Sequence, residues 1–408
     1  MPSFDVIVIG GGAAGFVAAG FAAGAGARTL VLERTRAGGK KIVASGGGRC
    51  NVLPSDFTAE QFVTDGSTNT VRRILASWPL AAQRRFFEDD LGVALSLEPE
   101  TGKLFPTSNR AQDVRDALVA WAERQGAAVW FDAHATDLRP GADGGWTVAL
   151  AGGQTVDAAR AVVATGGLSV PATGSDGAGL RWAARLGHTV VPTYAALTPL
   201  TASPAVHAPL SGVSLVAHAQ AGEGKAARRT DGGFLFTHRG YSGPAVLDVS
   251  HRFVVDPATP VVVRWDAGAD ASVWDARLRA SGTGGSTVGA TLRRHLPQRL
   301  ADALVEESGV DPGTSLAQLR KTDRARLVAL LAAYRLPVTG HEGYKKAEVT
   351  GGGVALADVD ARTLESRRAP GLFFCGEVLD AFGPIGGYNF LWAWTTGRLA
   401  GLGAAGTP

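Results

Sequence analysis

A thiol follows three consecutive glycines near the start of the chain, where residues 45–51 read SGGGRCN. Glycines adopt positive φ angles and let the backbone approach a ligand closely, so this segment can form one wall of a binding site. Cys50 then has two interpretations: an acid that gives a proton to a substrate, or a small apolar group that packs beside a flat ligand. Arg49 and Asn51 are better suited to contact a cofactor or to anchor the loop. The residues alone leave both interpretations of the thiol open.

Two later segments also carry side chains that can hold or move a proton. FTHRGYSGP contains His238 and Tyr241, and GHEGYKKAEV contains His341, Tyr344 and Lys345. Imidazole and phenol groups are common general acids and bases, and both segments could line a cavity opposite the glycine loop. We therefore take Tyr241 and His341, together with the thiol of the loop, as candidate catalytic residues. A structural role in loops is the alternative for each segment.

The cysteine count excludes several other chemistries. Two cysteines in 408 residues, without a CxxC motif, predict a reduced intracellular protein and no disulfide framework. Cys375 lies in an apolar run and is expected to be a small buried residue. A redox pair of Cys50 and Cys375 is the alternative, although disulfide reductases normally place both cysteines a few residues apart. No HExxH motif or Cys/His cluster indicates a metal, and no GxSxG motif indicates a hydrolase.

Composition and charge fit a globular protein with a large core. Hydrophobic residues make up 45% of the chain, charged residues make up 19%, and the net charge is +3. Dibasic pairs recur outside any long basic run, which is typical of a solvated surface, with an RNA-facing stripe as the alternative. The uncharged stretch 6–27 is long enough to cross a membrane, but its glycines argue against that. A start without a basic signal region predicts a cytoplasmic protein with no membrane partner.

The elements that position these groups begin with a strand–helix–strand unit. Apolar β-branched residues predict a strand over Phe4–Ile9, small residues predict a helix over Ala13–Ala25, and a second apolar strand covers Thr29–Leu32. Continuous apolar runs of this kind are typical of strands that are buried on both faces of a parallel sheet. Glu33 ends the second strand.

The turn between the first strand and the helix has the GxGxxG spacing, with Gly10, Gly12 and Gly15. The first glycine permits a sharp turn, the second lets a pyrophosphate approach the backbone, and the third lets the helix pack on the sheet. The pyrophosphate would lie at the helix N-terminus, where free amides and the helix dipole favour negative charge. Glu33 is placed to accept hydrogen bonds from an adenosine ribose. The unit therefore predicts a dinucleotide site.

A second acidic strand end lies near the C-terminus. An apolar strand over Leu372–Cys375 runs into Gly376 and Glu377, and a glycine-rich turn leads to a helix near Tyr388–Leu399. Earlier in the chain, the strand in RAVVATGGLS stops at the turn 164–167. In this order the elements resemble the FAD-binding motifs of two-dinucleotide-binding flavoproteins. There the second acid contacts the ribityl hydroxyls and the second helix N-terminus faces the flavin, so the predicted cofactor is FAD and not NAD.

Nearly the whole chain resembles the BaiN/RdsA-type flavoproteins, the YhiN-like family of NAD(P)/FAD-dependent oxidoreductases. The similar segments are GGKKIVASGGGRCNV, GKLFPTSNRAQDVRDAL, ATGGLSVPATGSDGAG, LFTHRGYSGPAVLDVS, AEVTGGGV and CGEVLDAFGPIGGYNFLWAWTTG. The chain departs from the family pattern at Cys375, where a small residue is usual, and in the AFGPI stretch after Asp380, where many members carry acidic or small polar residues. Both departures lie near the expected flavin ring, and they bear on the substrate more than on the cofactor.

The glycine motif and the resemblance together imply the residues that contact FAD. These form a group near the N-terminus, a central group and a C-terminal group: Gly10, Gly12, Ala13, Ala14, Gly15, Glu33, Arg34, Lys40, Lys41, Ser45, Gly46, Gly47, Gly48, Arg49 and Asn51; His134, Ala135, Ala164, Thr165 and Gly166; and Gly376, Glu377, Asp380, Gly386, Gly387, Tyr388, Asn389 and Phe390.

The resemblance implies an α/β architecture. We expect a Rossmann-like FAD-binding domain of the glutathione-reductase type, an inserted β-barrel-like domain and a small helical subdomain. The expected bounds are 1–190 with 346–408 for the FAD domain, 191–270 with 331–345 for the barrel-like domain, and 271–330 for the helices. Short apolar runs separated by Pro and Gly between Val190 and Val263 agree with antiparallel strands. Apolar residues at helical spacing between Gly289 and Leu336 agree with helices.

The resemblance also implies an FAD-dependent oxidoreductase, with the substrate left open. Hydride transfer to an activated C=C bond, in a uridine of 23S ribosomal RNA or in a small molecule, is one expectation, with NAD(P)H as a transient reductant. An amine oxidase like aminoacetone oxidase, which makes hydrogen peroxide, is the second. The third alternative is an FAD-containing RNA-binding or structural module without turnover. The sequence does not indicate an oligomeric state.

Overall fold

The computed structural model describes residues 4–142, 144–224, 227–279 and 286–407. Within them the chain forms two compact units, divided after Tyr194 and before Val349. The first unit contains the residues up to Tyr194 and those from Val349 onward, and the second unit contains the residues between them. Every residue predicted to contact FAD belongs to the first unit.

The strands, in chain order, are β1 (Phe4–Ile9), β2 (Thr29–Leu32), β3 (Leu53–Pro54), β4 (Leu95–Glu98), β5 (Lys103–Pro106), β6 (Ala128–Trp130), β7 (Ala135–Pro140), β8 (Trp146–Leu150), β9 (Thr155–Val163), β10 (Val190–Ala196), β11 (Leu200–Thr201), β12 (Ser214–Ala221), β13 (Arg228–Phe236), β14 (Gly240–Ser242), β15 (Val261–Arg264), β16 (Tyr334–Arg335), β17 (Gly340–His341), β18 (Val349–Val354) and β19 (Leu372–Phe374). The helices are α1 (Ala13–Gly24), α2 (Lys40–Ala44), α3 (Thr68–Ala76), α4 (Leu80–Arg85), α5 (Ala111–Arg124), α6 (Ala178–Arg185), α7 (Pro244–Val255), α8 (Ala271–Arg279), α9 (Val288–Arg293), α10 (Gln298–Ser308), α11 (Lys321–Ala332) and α12 (Tyr388–Ala405).

A mixed sheet with the strand order β6-β2-β1-β9-β8-β7 organises the first unit, and β19 also pairs with β9. β1 runs parallel to β2 and β9, and β19 runs parallel to β9. Because the carboxyl ends of parallel strands meet at one edge of a sheet, the turns that follow these four strands lie along the same edge. That edge collects the glycine turn, Glu33, the ATG turn and Glu377. The predicted Rossmann-like FAD-binding fold is confirmed.

The apolar runs of the first unit form its central strands because both faces of the sheet are covered. All four residues of β2 are buried, and nine of the residues in α1 are buried as well. The strands predicted over Phe4–Ile9 and Thr29–Leu32 are confirmed, and α1 ends at Gly24, one residue before its predicted end. A helix of small residues that is buried nearly all round must pack on elements on several sides.

One of those elements is α12, which contacts α1 backbone to backbone. A Cβ atom on Gly397 would lie 2.4 Å from the carbonyl oxygen of Ala14, and one on Gly401 would lie 2.2 Å from that of Ala18. Both contacts leave no room for a side chain. The helix continues through these glycines to Ala405, beyond the end near Leu399 that the sequence predicted. Among the described helices, α12 included, none has the length and hydropathy needed to cross a membrane.

An antiparallel sheet with the order β16-β15-β12-β13-β14-β11-β17 forms the second unit. The helices α8 to α11 share a hydrophobic core with this sheet, since Val263, Leu278 and Leu304 belong to one buried cluster. The sequence missed α7, which lies where strands were expected. Pro244 occupies the start of this helix, where its fixed φ favours helical geometry. The boundary between a barrel-like part and a helical part stays a prediction.

We expect Gly401→Ala to destabilise the fold by roughly 1–3 kcal/mol, because the added methyl group would overlap the backbone of α1. Gly24→Ala is the matched control, since Gly24 is exposed and its added methyl group would meet mainly the flexible end of Gln125. Thermal unfolding followed by circular dichroism should give a lower melting temperature for Gly401→Ala only. Alanine favours helix over glycine, so a Gly401→Ala protein as stable as Gly24→Ala would mean that the two helices are not in tight contact.

Candidate functional site

The glycines of the turn after β1 have two different roles. Two of them are required by the fold, and the third leaves space for a ligand. Gly10 has a φ of +107°, and a Cβ on Gly15 would lie 1.8 Å from the carbonyl oxygen of Gly10. By contrast, a Cβ on Gly12 would meet nothing within 4 Å, although Gly12 caps the N-terminus of α1. Open space at a helix N-terminus suits a phosphate group, which the free amides and the dipole attract. The turn therefore fits the pyrophosphate of a dinucleotide.

The carboxylate of Glu33 is buried beside this turn. It accepts hydrogen bonds from the amide of Gly11 at 2.7 Å, from the amide of Thr35 at 2.8 Å and from the hydroxyl of Thr35 at 2.6 Å. The amide of Ala133 donates to the carbonyl of Glu33 at 2.9 Å. This bond brings the segment with His134 and Ala135 to the same strand end. The contact of Glu33 with an adenosine ribose stays a prediction, as does that of the segment 134–135.

Arg34, the next predicted contact, is held by protein atoms. Its guanidinium lies 2.8 Å from the carboxylate of Asp176 and donates to the carbonyl of Gly174 at 3.0 Å. This pair ties the connection after β2 to the segment before α6. Lys40, at the start of α2, is exposed. A role of either residue in binding FAD stays a prediction.

The ATG turn lies at the end of β9, next to the glycine turn. The amide of Ala164 donates to the carbonyl of Ile9 at 2.9 Å, and Gly166 has a φ of +70°. The hydroxyl oxygen of Thr165 is buried and has no hydrogen-bond partner among the described residues. A buried hydroxyl without a partner is costly. This is a second feature of the edge that fits a polar ligand.

The SGGG segment forms a left-handed turn. Gly46, Gly47 and Gly48 have φ angles of +56°, +67° and +86°, and Cβ atoms on Gly47 and Gly48 would meet nothing within 4 Å. Cys50 also has a positive φ, +59°, which is uncommon for a residue with a side chain. Its thiol is fully buried. Burial raises the pKa of Cys50 to about 12, and a hydrogen bond with Ser45 lowers it only partly. The thiol therefore keeps its proton at neutral pH.

Asn51 joins the glycine loop to the N-terminus of α12. With the amide oriented to match its neighbours, its Nδ2 donates to the carbonyl of Leu53 at 3.2 Å, and its Oδ1 accepts from the amide of Gly387 at 3.1 Å. The indole of Trp394 donates to the carbonyl of Val52 at 3.0 Å. Two segments far apart in sequence are thus held together. Arg49 points elsewhere, over the ring of Phe105 at 4.0 Å.

The turn that starts α12 is held by its own side chains. The amide group of Asn389 accepts from the backbone amide of Gly383 at 2.9 Å and donates to the carbonyl of the same residue at 3.0 Å. The phenol of Tyr388 accepts from Gln61 at 3.1 Å, and Phe390 stacks on the ring of Trp394. Gly386 and Gly387 have φ angles of +128° and +92°. The first turn of α12 has no acidic side chain, so its positive end is available to an anion.

A lysine and a glutamate meet at the same sheet edge, just after Gly376. Nζ of Lys41 lies 2.5 Å from Oε2 of Glu377, and the two side chains are 27% and 17% exposed. Burial alone would raise the pKa of Glu377, but the charge of Lys41 and the hydrogen bonds to the carboxylate hold that pKa below its usual range. Glu377 is therefore ionised at neutral pH.

The carboxylate of Asp380, three residues after Glu377, is bound by the segment 64–65. Its carboxylate accepts from the hydroxyl of Thr64 at 3.1 Å and from the amide of Asp65 at 2.9 Å. Burial raises the pKa of Asp380, and these bonds only partly offset the effect. A contact of Asp380 with FAD stays a prediction.

Sequence reasoning missed two residues of the site, Ser169 and Thr350. The hydroxyl of Ser169 donates to Oε1 of Glu377 at 2.6 Å, and the amide and hydroxyl of Thr350 donate to the same atom at 3.0 and 2.8 Å. Both residues stand in segments on which the family resemblance rests, ATGGLS and AEVTGGGV. Their hydroxyls next to glycine runs were the available signal.

The two other candidate catalytic residues lie in the second unit. Tyr241 is buried, its hydroxyl lies 2.7 Å from Nδ1 of His207, and burial raises the pKa of its phenol. His341 is exposed in β17, and its Nδ1 accepts from the amide of Gly343 at 3.1 Å. Catalytic roles for Tyr241 and His341 stay predictions, as does that of Cys50.

The chain is similar over nearly its whole length to proteins of known name. The model of one protein family, described as HI0933-like protein Rossmann domain, matches residues 4–403. A ribosomal RNA dihydrouridine synthase of Escherichia coli (strain K12) is 36% identical over 408 residues, which cover 97% of this chain and 96% of that protein. A 3-dehydro-bile acid delta(4,6)-reductase of Clostridium scindens is 31% identical and covers 98% of this chain and 99% of that protein.

Solved structures show the same fold at low identity. A 3-ketosteroid-delta4-(5alpha)-dehydrogenase from Rhodococcus jostii RHA1 superimposes with a TM-score of 0.52 at 17% identity, covering 98% of this chain and 96% of that one. At this level of identity the likeness concerns the fold alone.

We expect Gly12→Ala to weaken FAD binding at least tenfold while the flavin-free protein keeps its melting temperature, because the methyl group would enter only the space for the pyrophosphate. Gly15→Ala is the matched variant, whose methyl group would overlap Gly10 and lower the melting temperature itself. Flavin-fluorescence titration and thermal unfolding separate the two effects. Unchanged FAD affinity in Gly12→Ala would mean that the open space does not hold the cofactor.

Proposed function

The chain belongs to the HI0933-like family of flavoprotein oxidoreductases, and we propose that it reduces a C=C bond of a uridine in ribosomal RNA to give dihydrouridine. The observation that supports this substrate is the similarity to the dihydrouridine synthase of Escherichia coli, at 36% identity over nearly the full length of both proteins. NADH or NADPH would supply the electrons. The net charge of +3 suits an RNA partner, whose phosphates attract positive charge.

The proposed reaction divides between the cofactor and the chain. FAD, when bound and reduced, supplies the hydride that adds to one carbon of the double bond. The chain binds the pyrophosphate at the N-terminus of α1 and places the positive end of α12 at the same sheet edge. A proton must reach the neighbouring carbon, and Cys50 is the candidate donor from the sequence; its thiol holds a proton at neutral pH, and burial makes it a weaker acid than a free thiol. Oxidised nicotinamide leaves as the second product.

A second candidate is reduction of a conjugated enone in a steroid-like small molecule. It is supported by the similarity to the bile acid reductase of Clostridium scindens, at 31% identity over 98% of this chain. The chemistry is the same addition of hydride and proton to a polarised C=C bond. The two candidates therefore differ in what the chain must recognise and share the flavin site.

Anaerobic addition of NADH and NADPH to the FAD-loaded protein is the first test, and bleaching of the flavin absorbance is the expected result. Bleaching only by a small amine, with hydrogen peroxide formed in air, would replace the reductase with an amine oxidase. No bleaching by any of these would leave an FAD-containing module without turnover.

Mass-spectrometric mapping of ribosomal RNA then tests the substrate. In a strain that lacks the gene, one dihydrouridine of the large-subunit RNA should be absent, and the wild-type gene should restore it. A gene carrying Gly12→Ala is the control for a protein that folds with weakened FAD binding. An unchanged dihydrouridine content, together with bleaching by NAD(P)H, would favour the small-molecule enone.

For the thiol, we expect Cys50→Ala to keep FAD and to slow substrate turnover at least tenfold, because general acid catalysis contributes about that much or more. Alanine retains the Cβ atom, so the backbone at φ +59° is equally strained in both proteins. Cys375→Ala is the matched control, since it removes the other buried thiol. If Cys50→Ala turns over as fast as Cys375→Ala, the thiol of Cys50 only packs beside the cofactor.

A further inference from the structure

The carboxylate of Glu377, which the resemblance places at the ribityl chain, accepts hydrogen bonds from four donors of the protein. Oε1 accepts from the hydroxyl of Ser169 and from both the amide and the hydroxyl of Thr350, at 2.6, 3.0 and 2.8 Å. Oε2 receives the ammonium of Lys41 at 2.5 Å. Three donors on one oxygen leave it little capacity for another. Oε1 is therefore committed to protein donors, and Oε2 keeps capacity for one further donor beside Lys41.

The hydroxyls of Ser169 and Thr350, which donate to Glu377, are themselves held by further hydrogen bonds. The hydroxyl of Thr350 accepts from the amides of Leu168 and Ser169, at 2.7 and 3.1 Å. The hydroxyl of Ser169 accepts from Lys41 at 2.7 Å while it donates to Glu377. Each hydroxyl thus has a defined direction, and the network holds Glu377 in one place. A network in which every group has its partners is rigid.

Unlike these hydroxyls, the ammonium of Lys41 has one N–H that is not used in a hydrogen bond among the described residues. Its Nζ donates to Glu377 and to Ser169, and its third N–H has no partner among the described residues. The side chain as a whole is 27% exposed, so the protein covers it only in part. The ammonium also lies near the ATG turn, since a Cβ on Gly166 would be 3.9 Å from Nζ. The unused N–H of Lys41 therefore lies at the sheet edge that carries the candidate flavin site.

We propose that Lys41 is the cationic group of the flavin site, and that Glu377, Ser169 and Thr350 are the residues that position it. The proposal rests on the flavin site and not on the identity of the substrate. A positive charge near the isoalloxazine stabilises the negative charge that the ring gains on reduction, and partial burial strengthens this interaction. Glu377 opposes the effect with its own charge. The pair thus sets the ease with which the bound flavin accepts electrons.

Stability alone does not account for this pair. Breaking a buried ion pair costs several kcal/mol, yet replacing both partners by apolar residues is often neutral. An ion pair that served only the fold would have no need of an accessible ammonium or of two further hydroxyls directed at its carboxylate. The arrangement suits a charge that must be held at one point beside a ligand.

The test is the midpoint potential of the bound FAD, which needs no substrate. Lys41→Met should make the equilibrium constant for two-electron reduction at least tenfold smaller, which is a fall in potential of at least about 30 mV. Glu377→Gln should shift the potential in the opposite direction, because the ammonium then lacks a counter-charge. Lys41→Arg should stay near the wild-type value. Arg36→Met is the control, since Arg36 is exposed and lies four residues before α2.

Four outcomes would contradict the proposal. A Lys41→Met potential equal to that of Arg36→Met would mean that the ammonium does not act on the flavin. If Lys41→Met fails to retain FAD, Glu377→Gln decides alone, and a fall or no change in its potential is the negative result. Loss of FAD from Glu377→Gln only would mean that the main role of the carboxylate is to bind the ribityl hydroxyls. Loss from both variants, with retention by Arg36→Met, would make the pair a structural one. None of these results depends on ribosomal RNA.

Discussion

Direct contact between the backbones of α1 and α12 is the constraint on which the site depends. Gly397 and Gly401 leave no side chain between the two helices, so both N-termini can lie at one edge of the sheet. Each helix end presents free amides and the positive end of a dipole. Asn51 then ties the glycine loop to the start of α12. A larger residue at either glycine would move all of these groups together.

The electrostatics of the edge follow from how its few charges are held. The positive helix ends carry no acidic side chain in their first turns. The acids that are present are committed: Glu33 to backbone amides and a threonine, and Glu377 to a lysine and two hydroxyls. The edge is therefore electropositive where a dinucleotide would lie. The thiol of Cys50 stays neutral, because burial raises its pKa.

Signals that are local in sequence predicted the fold well, whereas contacts between distant segments could not be predicted from the sequence. The strand–helix–strand unit was predictable because its glycine spacing and apolar runs fall within one short stretch. Gly401, in contrast, was one reason to end the predicted helix near Leu399. Glycine is needed there because α1 lies against it, and the sequence does not show that contact. Ser169 and Thr350 were missed for the same reason, because their role depends on hydrogen bonds to residues far away in the sequence, above all Glu377. The helix α7 was missed because its apolar residues were taken for a strand.

The order of the elements along the chain has a consequence for biosynthesis. α1 leaves the ribosome before the second unit, whereas α12, which covers it, leaves after that unit. At about 5–20 residues per second, roughly twenty to seventy seconds separate the two. During that interval the apolar face of α1 waits uncovered while the second unit is made. A chain that stalls before α12 therefore exposes an apolar surface of the kind that chaperones and proteases recognise.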